Sequence, residues 1–164
     1  MHPREVKLTA WPQSVEHYFL LRRAERGGAA ALQIGEPIGW ARAAELPLCL
    51  LTPEMHNRSI VDQAFKAAGA AVSPAIETNS VLTLALSVLS GRVCAVLPGA
   101  MVDAVRGQGH FEALPLVAPE VLTPIGFMTQ TAVRPSRALD AALALLQSPD
   151  WQRDVGAHSG ALRG

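Results

Sequence analysis

The stretch Ile76–Val102, IETNSVLTLALSVLSGRVCAVLPGAMV, decides the fold. Thr78, Asn79 and Ser80 are three capping residues in a row, the type whose short side chains satisfy the orphan amides of a helix start. Behind them Val81, Leu82, Ala85, Leu86 and Leu89 recur at helical spacing and predict a wide apolar face. Gly91 is placed to stop that helix. Val93–Leu97 is a short unbroken apolar run, which suits a strand covered on both faces, and Pro98-Gly99 ends it.

The same alternation continues on both sides. Upstream, Leu46–Leu51 predicts a buried strand, closed by Thr52-Pro53. A helix follows over about 58–68, with Ile60, Val61, Ala64, Phe65 and Ala68 at its spacing and Gly69 as its stop. Val72–Glu77 predicts a second strand, and Pro74 puts it at an edge or a bulge. Downstream, a short helix over about 100–106 is followed by strands over Phe111–Val117 and Ile125–Thr131. A last helix runs over Ser136–Gln147, with Leu139, Ala142, Leu143 and Leu146 inward. Short buried strands alternating with helices of about ten residues indicate βαβ units. The predicted class is α/β, a mixed, mostly parallel sheet flanked by helices.

The ends are less regular. VEHYFLLR at 15–22 predicts a strand; RRAERGGAAALQIGEPIGW reads as a loop, and residues 37–46 as a short helical turn. Residues 148–164 show little periodicity and are expected to fray.

Composition narrows the function. Hydrophobic residues are 49% of the 164 and charged residues 17%, which excludes a disordered chain. Fourteen basic residues balance 14 acidic ones, so the basic excess of a free-standing nucleic-acid binder is missing. Cys49 and Cys94 sit inside apolar runs and read as buried thiols, not as a disulfide framework. His2, His17, His56, His110 and His158 are scattered, and none pairs with a Cys or carboxylate at metal-ligand spacing. Phosphate-loop, GxSxG and HExxH motifs are absent, so the expectation is no catalytic residue, no metal, no cofactor and no enzyme. No apolar run approaches about 18 residues, and MHPREVKLTAWPQ has no apolar core of a signal peptide, so a cytoplasmic protein is expected.

In order, ELPLCLLTP, the helix ending in AFKAAG, the segment quoted first and FEALPLVAPEVLTPIGFMTQTAVRPSRALDAALALL resemble the C-terminal part of the effector-binding domain of LysR-type transcriptional regulators. The resemblance covers about two-thirds of the chain. It implies a fold like the type 2 periplasmic binding proteins, here lobe two plus the closing strand and helix of lobe one, with an effector between lobes. Residues 1–14 stay unassigned, and 15–117 would form lobe two, with a crossing strand at 15–24 and a loop at 25–45. Residues 118–147 would return to lobe one, and 148–164 form the tail. The family's helix-turn-helix and first half of lobe one resemble nothing in this sequence, so DNA is expected as a partner only through a domain not seen here.

The expected function is an effector-sensing regulatory domain that binds a small anionic metabolite and contributes to self-association, as a homodimer or higher. Its candidate effector residues are Thr78, Asn79 and Ser80, at a helix N-terminus where amides and dipole favour an anion, Thr52 after the first lobe-two strand, and Phe127 and Thr129 on the returning strand. Each has a plainer role open to it: an ordinary N-cap, a Thr-Pro turn, residues of a pleat. His56 and Arg58 read either as helix-start residues or as neighbours of the cleft. The alternatives are a truncated interaction module without a working effector site, or a solute-binding protein of the same fold.

Overall fold

The computed structural model describes residues 7–25, 30–131 and 136–158. Its elements in chain order are β1 (Leu8–Glu16), β2 (Tyr18–Arg23), β3 (Gln33–Ile34), β4 (Ile38–Gly39), α1 (Trp40–Ala43), β5 (Leu48–Leu51), α2 (His56–Ala67) and β6 (Ile76–Thr78). Then come α3 (Val81–Leu89), β7 (Cys94–Pro98), α4 (Gly99–Asp103), β8 (Phe111–Val117), β9 (Thr123–Gln130), α5 (Arg137–Leu146) and α6 (Pro149–His158).

Seven strands make the main sheet, in the order β3-β8-β2-β7-β5-β6, with β4 paired to β8. β2 is antiparallel to both neighbours, and every other pairing is parallel, so the sheet is mixed and mostly parallel. The four residues of β5, LCLL, are all buried, as an unbroken apolar run between two helical layers requires. On one face Tyr18, Leu20, Leu48, Leu50 and Val96 pack with Trp40 and Phe65 from α1 and α2. Trp40 is fully buried, stands edge-on to Phe65 at 5.1 Å and donates its indole N–H to the Pro119 carbonyl at 2.9 Å. On the other face Phe19, Leu21, Cys49, Leu51 and Leu97 pack with Leu84, Val88 and Val102 from α3 and α4.

Successive strand residues point to opposite faces. Because Cys49 aligns with Ala95, and Cys94 with Leu48, the two thiols lie on opposite faces of the sheet. Both are free.

β1 and β9 form a separate two-stranded antiparallel ribbon. Its register slips between Pro12 and Ser14, a bulge that accommodates a proline inside a strand. Gly126 has no room for a side chain: a Cβ there would lie 2.5 Å from the Trp11 carbonyl oxygen.

Several expectations are corrected. Residues 8–14, which the sequence leaves unassigned, are strand. The single strand expected at 15–24 is two, broken at His17. The loop at 25–45 contains β3 and β4, although residues 26–29 lie outside the described residues, and the helical turn expected over 37–46 forms as α1. The strand expected from Val72 begins only at Ile76, after Pro74, and it is the edge of the sheet. The expected fraying of 148–164 does not hold over Pro149–His158, where α6 forms; its Trp151 indole donates to Gln13 in the bulge at 2.7 Å. Residues 159–164 lie outside the described residues. On α3 the buried stripe is Leu84 and Val88, while Leu82 and Leu86 are 69% and 56% exposed. On α5 Leu146 is buried, Leu139 and Leu143 are half-buried, and Ala142 is exposed. The helix stops are as expected: Gly69 and Gly91 take the left-handed φ of 71° and 73° that favours glycine.

Candidate functional site

In a parallel sheet every strand delivers its following loop to the same edge, beside the start of the next helix. Here β5, β6 and β7 end side by side, at Thr52, at Thr78–Ser80 and at Gly99. The antiparallel β2 begins at that same edge, with Tyr18 aligned to Pro98. Glu16, His17 and Tyr18, where the chain leaves the ribbon, therefore join the group.

Thr52 and Thr78 are joined directly: the Thr52 amide donates to the Thr78 carbonyl at 3.0 Å. The Thr78 hydroxyl accepts from the Ser80 amide at 3.1 Å, and the Ser80 hydroxyl accepts from the Thr83 amide at 3.2 Å. A helix start has four amides without intrahelical partners. The two hydroxyls satisfy those of Ser80 and Thr83, which leaves the amides of Val81 and Leu82 without a hydrogen-bond partner among the described residues. α3 has no acidic residue in its first turn. The Asn79 side chain is exposed.

Phe127 and Thr129 are elsewhere. They share one face of the ribbon with Trp11 and Thr9, their aligned partners. The Thr129 hydroxyl accepts from the Trp11 indole at 3.0 Å, and Phe127 is 47% exposed. The structure thus brings Thr52, Thr78, Asn79 and Ser80 to one edge of the main sheet and leaves Phe127 and Thr129 on the ribbon.

Two charged side chains at this edge are buried. Arg58, on the first turn of α2, is 8% exposed. Its Nη1 donates to the Leu51 carbonyl at 2.6 Å and to Glu77 at 2.5 Å, and its Nε donates to Asp62 at 2.7 Å. It ties the residue before Thr52 to the residue before Thr78. Glu16, 7% exposed, accepts from the Ala100 amide at 3.1 Å. Burial pushes its carboxyl above the usual range, and that hydrogen bond offsets part of the rise. No sequence motif announces Glu16, and periodicity alone does not say that Arg58 is buried. Thr52 Oγ1 is buried without a well-formed hydrogen bond. After the Glu54 backbone amide, Thr52 helps hold the exposed Glu54 carboxyl below its usual range. Among the described residues no group of three His, Cys, Asp or Glu is arranged to hold a metal ion. No helix among them is long and apolar enough to cross a membrane.

Residues 26–149 match the family model of the LysR substrate binding domain. The chain belongs to that family. LysR substrate-binding domains are parts of transcriptional regulators, so the family is a regulatory one. The regulatory domain of reduced OxyR from Pseudomonas aeruginosa superposes with a TM-score of 0.65 at 21% identity, over 93% of this chain and 69% of that one. The Synechocystis CcmR regulatory domain, in complex with 2-PG, gives 0.69 at 13% identity, over 100% and 73%. Full-length CbnR, complexed with its target DNA, gives 0.68 at 18%, over 94% and 50%. At these identities the likeness shows the type 2 periplasmic-binding-protein-like fold. The LysR chain described here thus spans about half the length of a full-length regulator. No curated protein is significantly similar to it.

Proposed function

We propose that this LysR domain senses a small anionic metabolite at the edge where β5, β6 and β7 end. The observation that carries the reading is the start of α3: two amides without a hydrogen-bond partner among the described residues, a cap already made by Ser80, no acidic residue in the first turn, and Thr52 hydrogen-bonded alongside. Helix dipole and free amides favour negative charge there, each contact contributing about 0.3–1 kcal/mol. In this reading Thr52, Thr78, Asn79 and Ser80 line the site. Phe127 and Thr129, on the ribbon, meet the effector from the other lobe. The CcmR domain holding 2-PG supports a small-molecule effector for this fold. In this reading the domain is a cytoplasmic sensor without catalysis, and DNA is reached through a separate helix-turn-helix.

Self-association is part of the proposal. The ribbon has two open edges and exposes Leu8, Ile125, Phe127 and Met128, the last at 70%. Such surface favours a partner copy. One observation favours a second reading, an interaction module without a working effector site: the Thr78 and Ser80 hydroxyls already serve their own helix.

Calorimetric titration with small carboxylates separates the two. The proposal expects roughly millimolar binding, weakened by Asn79→Leu, whose side chain takes no part in the cap. Binding that is absent, or indifferent to Asn79→Leu, supports the interaction module.

A further inference from the structure

Two packed units make up the structure. One is the main sheet with α1–α4; the other is the ribbon with α5 and α6. The chain passes between them twice, at residues 16–18 and at 117–123. Ribbon side chains reach across at this junction. Glu16, the last residue of β1, accepts from the Ala100 amide on α4 at 3.1 Å. Thr123, aligned with Glu16 on β9, donates its hydroxyl to that of Tyr18 at 3.5 Å. The Gly99 amide donates to the His17 carbonyl at 2.9 Å, so the first two amides of α4 are both held by the chain leaving the ribbon. Pro98 occupies the cap position of α4 and offers no side-chain hydrogen bond. Glu16 supplies one from the other unit.

Glu16 is buried there without a counter-charge: among the described residues no cation pairs with it. The titratable and charged groups around the junction are Tyr18 on β2, His17 and Glu120 on the two crossings, and Asp103 on α4 with Arg106 as its own partner. A carboxylate has about four acceptor positions, and among the described residues one amide serves Glu16. Its ionised form is therefore poorly solvated where it stands, and burial pushes its carboxyl above the usual range. The protonated form escapes that penalty and still accepts from Ala100. Turning the ribbon away from α4 would let water reach the ionised group. We infer that Glu16 is a latch between ribbon and sheet: protonated, it holds the ribbon against α4; ionised, it releases the ribbon to turn about the two crossings. The contact is favoured at low pH and weakens as pH rises through the titration of Glu16. The latch acts on the ribbon's orientation and stands without the effector site at α3.

Residual dipolar couplings of the full chain test it, with the pH dependence of the Ala100 amide shift marking where Glu16 titrates. Below that titration, couplings from β1 and β9 and couplings from β2, β5 and β7 fit one common orientation. Above it, each unit keeps its own fit, but the ribbon couplings shrink or need a second orientation. Glu16→Gln, which mimics the protonated group, keeps one orientation at both pH values. Glu16→Ala has the ribbon released at both. If Glu16→Ala does not fold, the wild type and Glu16→Gln suffice. A Glu16 that serves structure alone would change stability without a pH-linked turn of the ribbon. The latch is overturned by a wild-type ribbon whose orientation is the same on both sides of the titration, or by a change of orientation that Glu16→Gln shares. An Ala100 amide that does not titrate while the chain is folded, or still titrates in Glu16→Gln, overturns it as well.

Discussion

The main sheet and the ribbon place their apolar residues in opposite ways. In the sheet, Leu20, Leu21, Leu50 and Leu97 are at most 1% exposed, each covered by a helical layer. In the ribbon, Ile125, Phe127 and Met128 are 44%, 47% and 70% exposed, although α6 reaches β1 through Gln13. The sheet covers its apolar residues itself; the ribbon leaves its own exposed. The candidate site lies where the two meet, at Glu16, Tyr18 and Thr123, beside the strand ends of the sheet.

The widest contrast is in side-chain truncation. Phe65→Ala removes a ring packed against Trp40 and is expected to cost about 3–5 kcal/mol in chemical denaturation. Phe127→Ala is expected to cost about 0.5 kcal/mol or less, because its ring is half in water. The same ribbon variant should move the light-scattering mass toward the 17.4 kDa of a single chain. A costly Phe127→Ala, or a mass it leaves unchanged, would erase the contrast.

Gly126→Ala probes the ribbon alone. Its methyl meets the Trp11 carbonyl at 2.5 Å, where backbone must shift, so a loss of about 2 kcal/mol is expected. Amide exchange should rise along Leu8–Glu16 and Thr123–Gln130 and stay unchanged in β5 and β7. Equal loss of protection in both would show that ribbon and sheet unfold as one unit.

The smallest effect concerns Glu16 at the junction. Its carboxyl titrates above its usual range, so the native state binds the proton more tightly than the unfolded chain. Stability from this group is present at low pH and is lost as pH rises from the ordinary value through the raised one. Glu16→Gln should therefore gain on the wild type in denaturation midpoint between about pH 4 and about pH 8. A gap that narrows with rising pH would contradict the burial of Glu16 as the cause.

These contrasts also mark what the sequence could convey. β5, β7, β8 and the ends of α2 and α3 were legible because their signals are local: unbroken apolar runs, a Ser cap, a glycine stop. The covered face of α3 was not, since Leu82 and Leu86 are as apolar as Leu84 and Val88, and only the tertiary packing decides which pair is buried. β1 was missed because LTAWPQSVE carries a proline and a bulge that break the strand alternation. α6 was missed because its outward residues are polar and its anchor, Trp151 on Gln13, is far away in sequence. That Thr52 and Thr78–Ser80 share one edge was legible from the rule that strand ends meet helix starts. Arg58 and Glu16 needed the structure, because burial of a charge follows from partners 4 to 84 positions away.

The central claim is that the unpartnered amides at the start of α3 receive the effector's charge. A nitrogen-15 amide spectrum, recorded while a small carboxylate is titrated into the full chain, tests it most directly. The account predicts that Val81 and Leu82 shift first and furthest, with Thr83 less affected because Ser80 already holds it, and that Asn79→Leu diminishes the response. Shifts confined to the exposed Arg23 and His110 region, surviving Asn79→Leu, would contradict it.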